Sequence, residues 1–599
     1  MKKLHYILCL LALVISSCKK DFVNLQPTTI ISGTAAYSTP SAVYALMASF
    51  YSRIGSNFED QTYSEGFPPN YTGTWTDESI GTFPWANVSN NVSGGFGWWD
   101  YGLMKDLNDF IAKVPGANIT QDLRTRYLAE AKFLRAYMYF GMVKRYGGVP
   151  IITKVLVPGV DNLQVPRSTE QQVYDFVGGQ LDSVINVLSP AYGDGSDKFR
   201  ATKYTAYALK CRAMLYAASE AEYGSVQING LVGIPASAAT DYWQKAHDAG
   251  QAIIQSGAFG LYQGNADPAA NFQQLFNGTD ATNNREIIFA KAYTLPNNAY
   301  SLDFFNEPQS FKVDWGNYTN PTVELVEQFE YTDGSPGKLK VNDANGNPIP
   351  YKNPADLFAG KDPRFFASIL YPNAEWHANG DPKGGYIELR RGIVVGTDTL
   401  INEDLSKTYG TGANAITFNG KDGPTVSNES TKTGFFMKKF LTESSTFVPN
   451  LNKSSATGII FRYGEVLLNF AEAAIELGNT SDALTAINQI RSRAGIRLLS
   501  AVTRDQVRHE RTVEMAFENQ RYWDLRRWHI ADKVFNNTPL HALFPYLVWK
   551  DNTSPANMSY IFRIVQVPNR PTRTFIPSTY YFSIGTGGAD SYLKQNPGY

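Results

Sequence analysis

FRYGEVLLNFAEAAIELG, Phe461 to Gly478, runs directly into NTSDALTAINQIRSRAGI, Asn479 to Ile496. In the first half Tyr463, Leu467, Phe470, Ala474 and Leu477 recur at helical spacing, and in the second Ala483, Ile487, Ile490 and Ala494 do the same. Gly478 and Gly495 stop the two runs, since glycine accepts the left-handed cap without a Cβ penalty. So few residues separate the stripes that the two helices must be antiparallel neighbours.

The same pattern occurs upstream. Tyr127, Ala131, Leu134 and Met138 form one stripe, while Phe133, Tyr137 and Phe140 form a second. A helix that is apolar on two faces packs on two sides. Gly147-Gly148-Val149-Pro150 ends it. The next helix is expected to begin at Ser168 or Thr169, with Gln171 or Gln172 as capping-box partner and Val173, Phe176, Val177, Val184 and Leu188 facing inward. A further pair spans about 202–222 and 241–256. These alanine-rich pairs resemble tetratricopeptide units, although no strict repeat of about 34 residues is present. The expected fold is mainly α: a scaffold of tetratricopeptide-like helix pairs over about 102–256 and 459–530, with a large loop-rich subdomain containing short strands over about 257–458. Loops at 51–100 and 536–599 share its Gly, Asn, Pro and aromatic texture. Strand-like runs there include EIIFAKAY, GYIELRRGIVV and TGFFMKKFL.

At the amino terminus, Lys2 and Lys3 precede an apolar run from Leu4 to Ile15, and Ile15-Ser16-Ser17-Cys18 places small residues before a cysteine. The run is shorter than the roughly 20 apolar residues a span requires. It resembles the lipobox of bacterial lipoproteins, which implies a signal peptide over 1–17 and a mature chain, 18–599, acylated at Cys18. The palmitate-type acyl chains added there, at about 0.8 kcal/mol per buried methylene, hold a protein on a membrane essentially permanently. The rival reading is an ordinary secretory signal with a cysteine near the cut.

Of three cysteines, Cys9 lies in the signal, Cys18 is the expected anchor and Cys211 is alone, so no intramolecular disulfide is available to the mature chain. Cys211 falls in TKYTAYALKCRAMLYAASEAE, where a buried inert thiol is expected. A net charge of −1 gives no electrostatic case for nucleic acid. Histidine is sparse, and HExxH, zinc-spaced Cys/His pairs, a P-loop, a dinucleotide fingerprint and a GxSxG elbow are missing. No catalytic residue, metal or cofactor is therefore assigned, with the Asp/Asn loop DGSPGKLKVNDANGN leaving calcium open.

Four blocks are together similar to the SusD/RagB family of Bacteroidetes outer-membrane lipoproteins. They are CKKDFVNLQP from Cys18, YLAEAKFLRAYMYFGMVKRYGGVPI from Tyr127, the stretch Phe461–Ile496, and RHERTVEMAFENQRYWDLRRW from Arg508. RSTEQQVYDFV from Arg167, TDE from Thr76 and DPRFF from Asp362 are smaller echoes. The resemblance implies four tetratricopeptide-like helix pairs and a non-catalytic, cell-surface role. Such a protein captures an oligosaccharide, or in some relatives a peptide, and closes over a SusC-like TonB-dependent transporter. Gly464 departs from the family's frequent alanine, and Gln520 stands where small residues are common. A surface glycoside hydrolase and a helix-repeat protein-interaction scaffold are the alternatives.

Aromatic residues, 13% of the chain, supply the candidate ligand contacts. Trp75, Trp85 and Trp99 crowd a Gly/Asn-rich segment, and Trp315 lies in SFKVDWGNYTNPT before a helix expected near Asn320. Flat rings on loops stack on the apolar faces of sugars while Asn and Asp bond hydroxyls. Packing beneath a loop is the competing explanation, and Trp98 and Trp99 would then dock the helix holding Tyr101, Met104 and Asn108. Glu510, Glu514 and Glu518 at four-residue spacing resemble an acid/base or metal array. With Arg508, Arg511, Arg521, Arg526 and Arg527 nearby, an ion-paired seam is the simpler account.

Overall fold

The computed structural model describes residues 33–54, 72–83 and 97–599, apart from 194, 196, 278–283, 378–384, 428, 445–446, 552, 569–572, 586 and 588–589. Its principal helices are α1 (Pro40–Arg53), α2 (Tyr101–Lys113), α3 (Gln121–Tyr146), α4 (Glu170–Ile185), α5 (Lys203–Tyr223), α6 (Ala239–Gln255), α7 (Tyr463–Glu476), α8 (Thr480–Ala494), α9 (Arg504–Glu514) and α10 (Arg521–Arg527). From α3 to α8 each helix packs on the next one in this order, and α9 lies against α7. The chain is thus mainly helical, a stack of hairpins whose shared interior runs from Val43 to Leu593.

Local chemistry sets the ends. Thr120 caps α3 by accepting from Leu123 N–H, and Gly147, at φ 70°, donates to Val143 O to close it. Thr169 and Gln172 form the capping box of α4, and Thr503 and Gln506 that of α9. Gly495 ends α8 in the left-handed region at φ 72°. Between Tyr127 and Tyr146 nearly every side chain of α3 is buried, as two apolar stripes require. Gly141 is the exception in size. A Cβ there would come within 2.2 Å of the Trp98 ring, so the missing side chain is the seat for that indole.

The strands used below are β1 (Ser79–Gly81), β2 (Ile287–Lys291), β3 (Thr319–Pro321), β4 (Gly392–Val395), β5 (Asp398–Leu400), β6 (Gly458–Arg462), β7 (His541–Val548) and β8 (Ser559–Gln566). β1 pairs antiparallel with β3, Ile80 opposite Asn320. β2 pairs antiparallel with β6 through an irregular register, so the stretch between them leaves and returns at one joint, and β6 leads directly into α7. The largest sheet has the order β8-β7-β4-β5, with β7 and β4 parallel. Its two eight-residue strands come from the tail after Asn536, which proves more regular than its loop-like composition suggests. The helix expected near Asn320 is a strand followed by one turn, Val323–Val326.

A second core fills the irregular stretch, with Phe272, Phe329, Phe358, Phe365, Trp376 and Phe435 among its members. Much of the aromatic content is spent here, where short strands supply too little aliphatic surface.

Candidate ligand-binding site

Residues 308–318 bridge the short helix Leu302–Asn306 and β3, and they form a loop tied down at both ends. Tyr318 N–H donates to Phe305 O at 2.7 Å, Asn317 N–H to Glu307 O at 2.8 Å, and Thr82 N–H to Tyr318 O at 3.0 Å. Gly316 permits this closure, since a Cβ there would lie 2.5 Å from Glu307 O. Asn320 donates to Asn317 Oδ1 at 2.7 Å and accepts from Lys432 N–H at 2.8 Å. Lys312 pairs with Glu429 and also donates to Asp314 O at 2.9 Å.

The lock presents Trp315. Its ring centroid is 5.2 Å from Phe83 and 6.3 Å from Phe305, in a nest with Phe304 and Tyr318, yet the residue stays partly exposed beside exposed Val313 and Asp314. A partly exposed indole on the same loop as Lys312 and Asp314 combines a stacking face with donors and acceptors for hydroxyls. Beneath the loop, Asp303 accepts from Thr442 N–H at 2.6 Å and from Ser454 Oγ. Burial pushes its carboxyl up to about 6, against those hydrogen bonds. Glu307 accepts from Trp376 Nε1 at 2.9 Å and faces His377 Nε2 at 3.3 Å.

Trp75, Trp98 and Trp99 are placed apart from this nest. Trp75 meets Tyr522 edge-on at 6.0 Å against the helical core. Its segment is clamped by Arg521 on Asp77 at 2.7 Å and by Arg573 on the carbonyls of Thr74 and Ser79, which gives the TDE echo its structural use. Trp99 contacts Tyr101 at 5.2 Å and Tyr146 at 5.1 Å, both edge-on, and Trp98 lies over Gly141. Trp85 and Cys18 fall outside the described residues. One partly exposed patch has no signature in any sequence window. Tyr409 lies 4.8 Å from Trp549 and 5.9 Å from Phe418, and Trp549 donates to Asp551 at 3.0 Å. The partners are too far apart in the chain to show a motif, and only β7 ending beside Trp549 hints at it.

The three glutamates are ion-paired, but the geometry and the partners differ from expectation. α9 ends at Glu514, and a turn with Phe517 at φ 65° carries the chain to Glu518. Glu510 pairs with Arg364 and Arg491, Glu514 with Arg364, Arg462 and Arg493, and Glu518 with Arg462 and Lys439. Burial opposes the charge of Glu510 and Glu514, and the guanidiniums outweigh it: Glu510 is held below, and Glu514 well below, the ordinary carboxylate range. Arg511 serves Asp524 and Asn469, Arg527 serves Glu472, and Arg521 serves Asp77. Sequence proximity misled because the cations arrive from β6, α8 and the irregular stretch. Gly464 belongs to the same network, since a Cβ would sit 2.3 Å from Arg462 Nη1 and 2.9 Å from Glu286 Oε1.

Among the described residues no group of three His, Cys, Asp or Glu side chains could hold a metal, and no helix is long and apolar enough to cross a membrane. Asp333 and Asp343 are engaged by N–H groups of their own turns. Cys211 is buried, and its thiol is pushed far up by desolvation.

Stacked helical hairpins with a lateral, aromatic-bearing loop region define the class of tetratricopeptide-like binding scaffolds. The sequence profile of the SusD family matches residues 285–599, and one described as starch-binding, associating with outer membrane, matches residues 110–215. This chain belongs to the SusD family. It is 22% identical over 556 residues to a SusD-like protein of Bacteroides ovatus, covering 90% of this chain and 84% of that one. Among solved structures it is similar to a SusD-like protein of Bacteroides fragilis, with 25% identity, 96% and 100% of the chains covered and a TM-score of 0.71. A SusD-like carbohydrate-binding protein of the same species matches with 21% identity, 93% and 99% coverage and a TM-score of 0.67.

Proposed function

We propose that this protein binds a neutral oligosaccharide at the outer membrane and delivers it, without catalysis, to a SusC-like TonB-dependent transporter. The observation that carries the reading is Trp315: an indole held by a locked loop and left partly exposed, in a chain whose family includes a carbohydrate-binding relative. Trp85, Trp75 and Trp99 are assigned as further contacts to be tested alongside it. A lipid on Cys18 would tether the protein to the membrane and leave the binding face free to hinge over the transporter.

The occupation of Glu510, Glu514 and Glu518 by arginine and lysine favours binding over hydrolysis, because paired carboxylates of a glycosidase need one free acid and one free base. Titration calorimetry with maltoheptaose and laminarihexaose is the test. Trp315→Ala is expected to weaken binding about tenfold or more, about 1.4 kcal/mol, with the fold retained. Unchanged affinity for every glycan bound by the native chain, or release of shorter products, would refute the reading. Co-purification of the membrane-extracted protein with a barrel transporter tests the partner.

A further inference from the structure

We infer that a groove between the loop following α6 and the outer side of α8 is a second saccharide site, separate from the Trp315 nest. The groove encloses about 720 Å³, within the range of about 300–1,000 Å³ typical of small-molecule sites. Phe259, Leu261 and Leu484 supply apolar walls, Asn488 a polar rim, and Tyr463 and Arg493 the floor.

The floor singles out its ligand. Tyr463 is only 6% exposed, and its hydroxyl has no hydrogen-bond partner among the described residues. The oxygen itself is not shut off from solvent, so a ligand hydroxyl can take the place of water there. Arg493 spends its terminal nitrogens on Glu286, at 3.2 Å, and on Glu514, so its charge is already neutralised, while its buried Nε is unpaired. A charged ligand finds no counter-ion here. A neutral ligand with hydroxyls can pair with the phenol and set an apolar ring face against Phe259 and Leu484, which describes a saccharide.

The walls are already in place. Phe259 is held edge-on to Tyr204 at 5.3 Å, Gly260 N–H donates to Arg285 O at 3.2 Å, and Tyr262 N–H donates to Glu286 at 2.7 Å. Asn488 exchanges two hydrogen bonds of 2.9 Å with the Leu499 backbone. Little order remains to be imposed on binding. The choice of saccharide rests on the proposed carbohydrate function, whereas the groove and its unpaired phenol do not.

Maltoheptaose and laminarihexaose carrying a diazirine at the reducing end, photolysed on the full mature chain and mapped by peptide mass spectrometry, test the site. Label is expected on residues 259–263 and 484–493 and should persist in Trp315→Ala. Thr485→Trp, at an exposed position, should abolish it by filling the groove, and Tyr463→Phe should reduce it about fivefold, the worth of one net hydrogen bond. No label on either segment at saturating glycan, or equal label in Thr485→Trp, would overturn the inference. Label in the groove with none lost elsewhere in Trp315→Ala would support it while removing the Trp315 reading.

Discussion

Arg462 donates to Glu514 across 2.7 Å, with both side chains shut off from solvent. The first is the last residue of β6 and the second the last of α9, so the contact pins the end of the β2–β6 joint to the helix stack. Arg462 also reaches Glu286 at 2.8 Å and Glu518 at 2.7 Å. Removing one member strands the others, which costs about 3–5 kcal/mol. Arg462→Met should therefore lower Tm sharply, and Arg462→Lys should recover little, because an ammonium cannot reproduce the fork. Thermal unfolding followed by circular dichroism checks both.

Gly464→Ala tests the crowding beside that arginine. The added methyl would sit 2.3 Å from Arg462 Nη1, which Glu286 and Glu514 hold in place, so a loss of about 1–3 kcal/mol is expected. Gly141→Ala should be destabilising as well, despite the better helix propensity of alanine, because the Trp98 ring must move. Urea midpoints should fall for both variants, and the tryptophan emission of the folded state should change only for the second.

Acid stability should depend on Glu472. Arg527 grips both its oxygens, at 2.6 and 2.7 Å, and Trp528 Nε1 donates to it at 2.6 Å. Burial opposes the charge, yet Arg527 prevails and holds the carboxyl at about 2, below its ordinary 4.5. A depressed carboxyl contributes stability that is present above pH 4.5 and lost as the pH falls toward 2, here about 3 kcal/mol. Urea midpoints between pH 6 and 3 should fall in the native chain, and less steeply in Glu472→Gln.

The opposite sign is expected at Glu170. Tyr581 Oη lies 2.9 Å from Glu170 and 3.0 Å from Glu220, Gly233 N–H donates to Glu170 at 2.6 Å, and His529 Nε2 faces Glu220 at 2.9 Å. Burial, reinforced by Glu220, raises Glu170 well above 4.5. Its contribution is complete below the ordinary value and is lost as the pH rises through the raised one. Glu170→Gln should flatten the alkaline limb of the stability profile, and a profile identical to that of the native chain would contradict the raised carboxyl.

Cys18→Ala should release a folded protein into the soluble fraction with glycan affinity intact and uptake lost. Fractionation followed by calorimetry separates anchoring from binding. A variant that stays on the membrane would exclude the lipid tether.

The helix pairs were legible because their information is local: stripes, caps and the glycines at 147, 478 and 495 all act within a few residues. Trp315 was legible only as a ring on a loop. Its nest needs Phe83, which arrives through the β1–β3 pairing, and no spacing rule encodes that approach. The partners of Glu510, Glu514 and Glu518 were misread for the same reason, since Arg364 comes from a short helix, Pro363–Ser368, and Lys439 from a turn, both far off in the chain. Tyr463 was visible as one member of an apolar stripe, and nothing in periodicity reveals a hydroxyl left without a partner.

The β2–β6 joint makes the intervening stretch an exchangeable cassette. Closing a longer or shorter loop at a fixed joint changes the entropic cost only slowly with length, so the loops between Lys291 and Gly458 that lie outside β3, β4 and β5 can change length while the helices stay as they are. The cassette is nevertheless keyed. Glu330, Arg364 and Lys439 are three teeth that mesh with Arg491, Glu510, Glu514 and Glu518 on the scaffold side. A graft from a relative must carry those teeth and also keep β3 for its pairing with β1 and β4 for its pairing with β7, while the loops between these fixed points are free to change without rebuilding the frame.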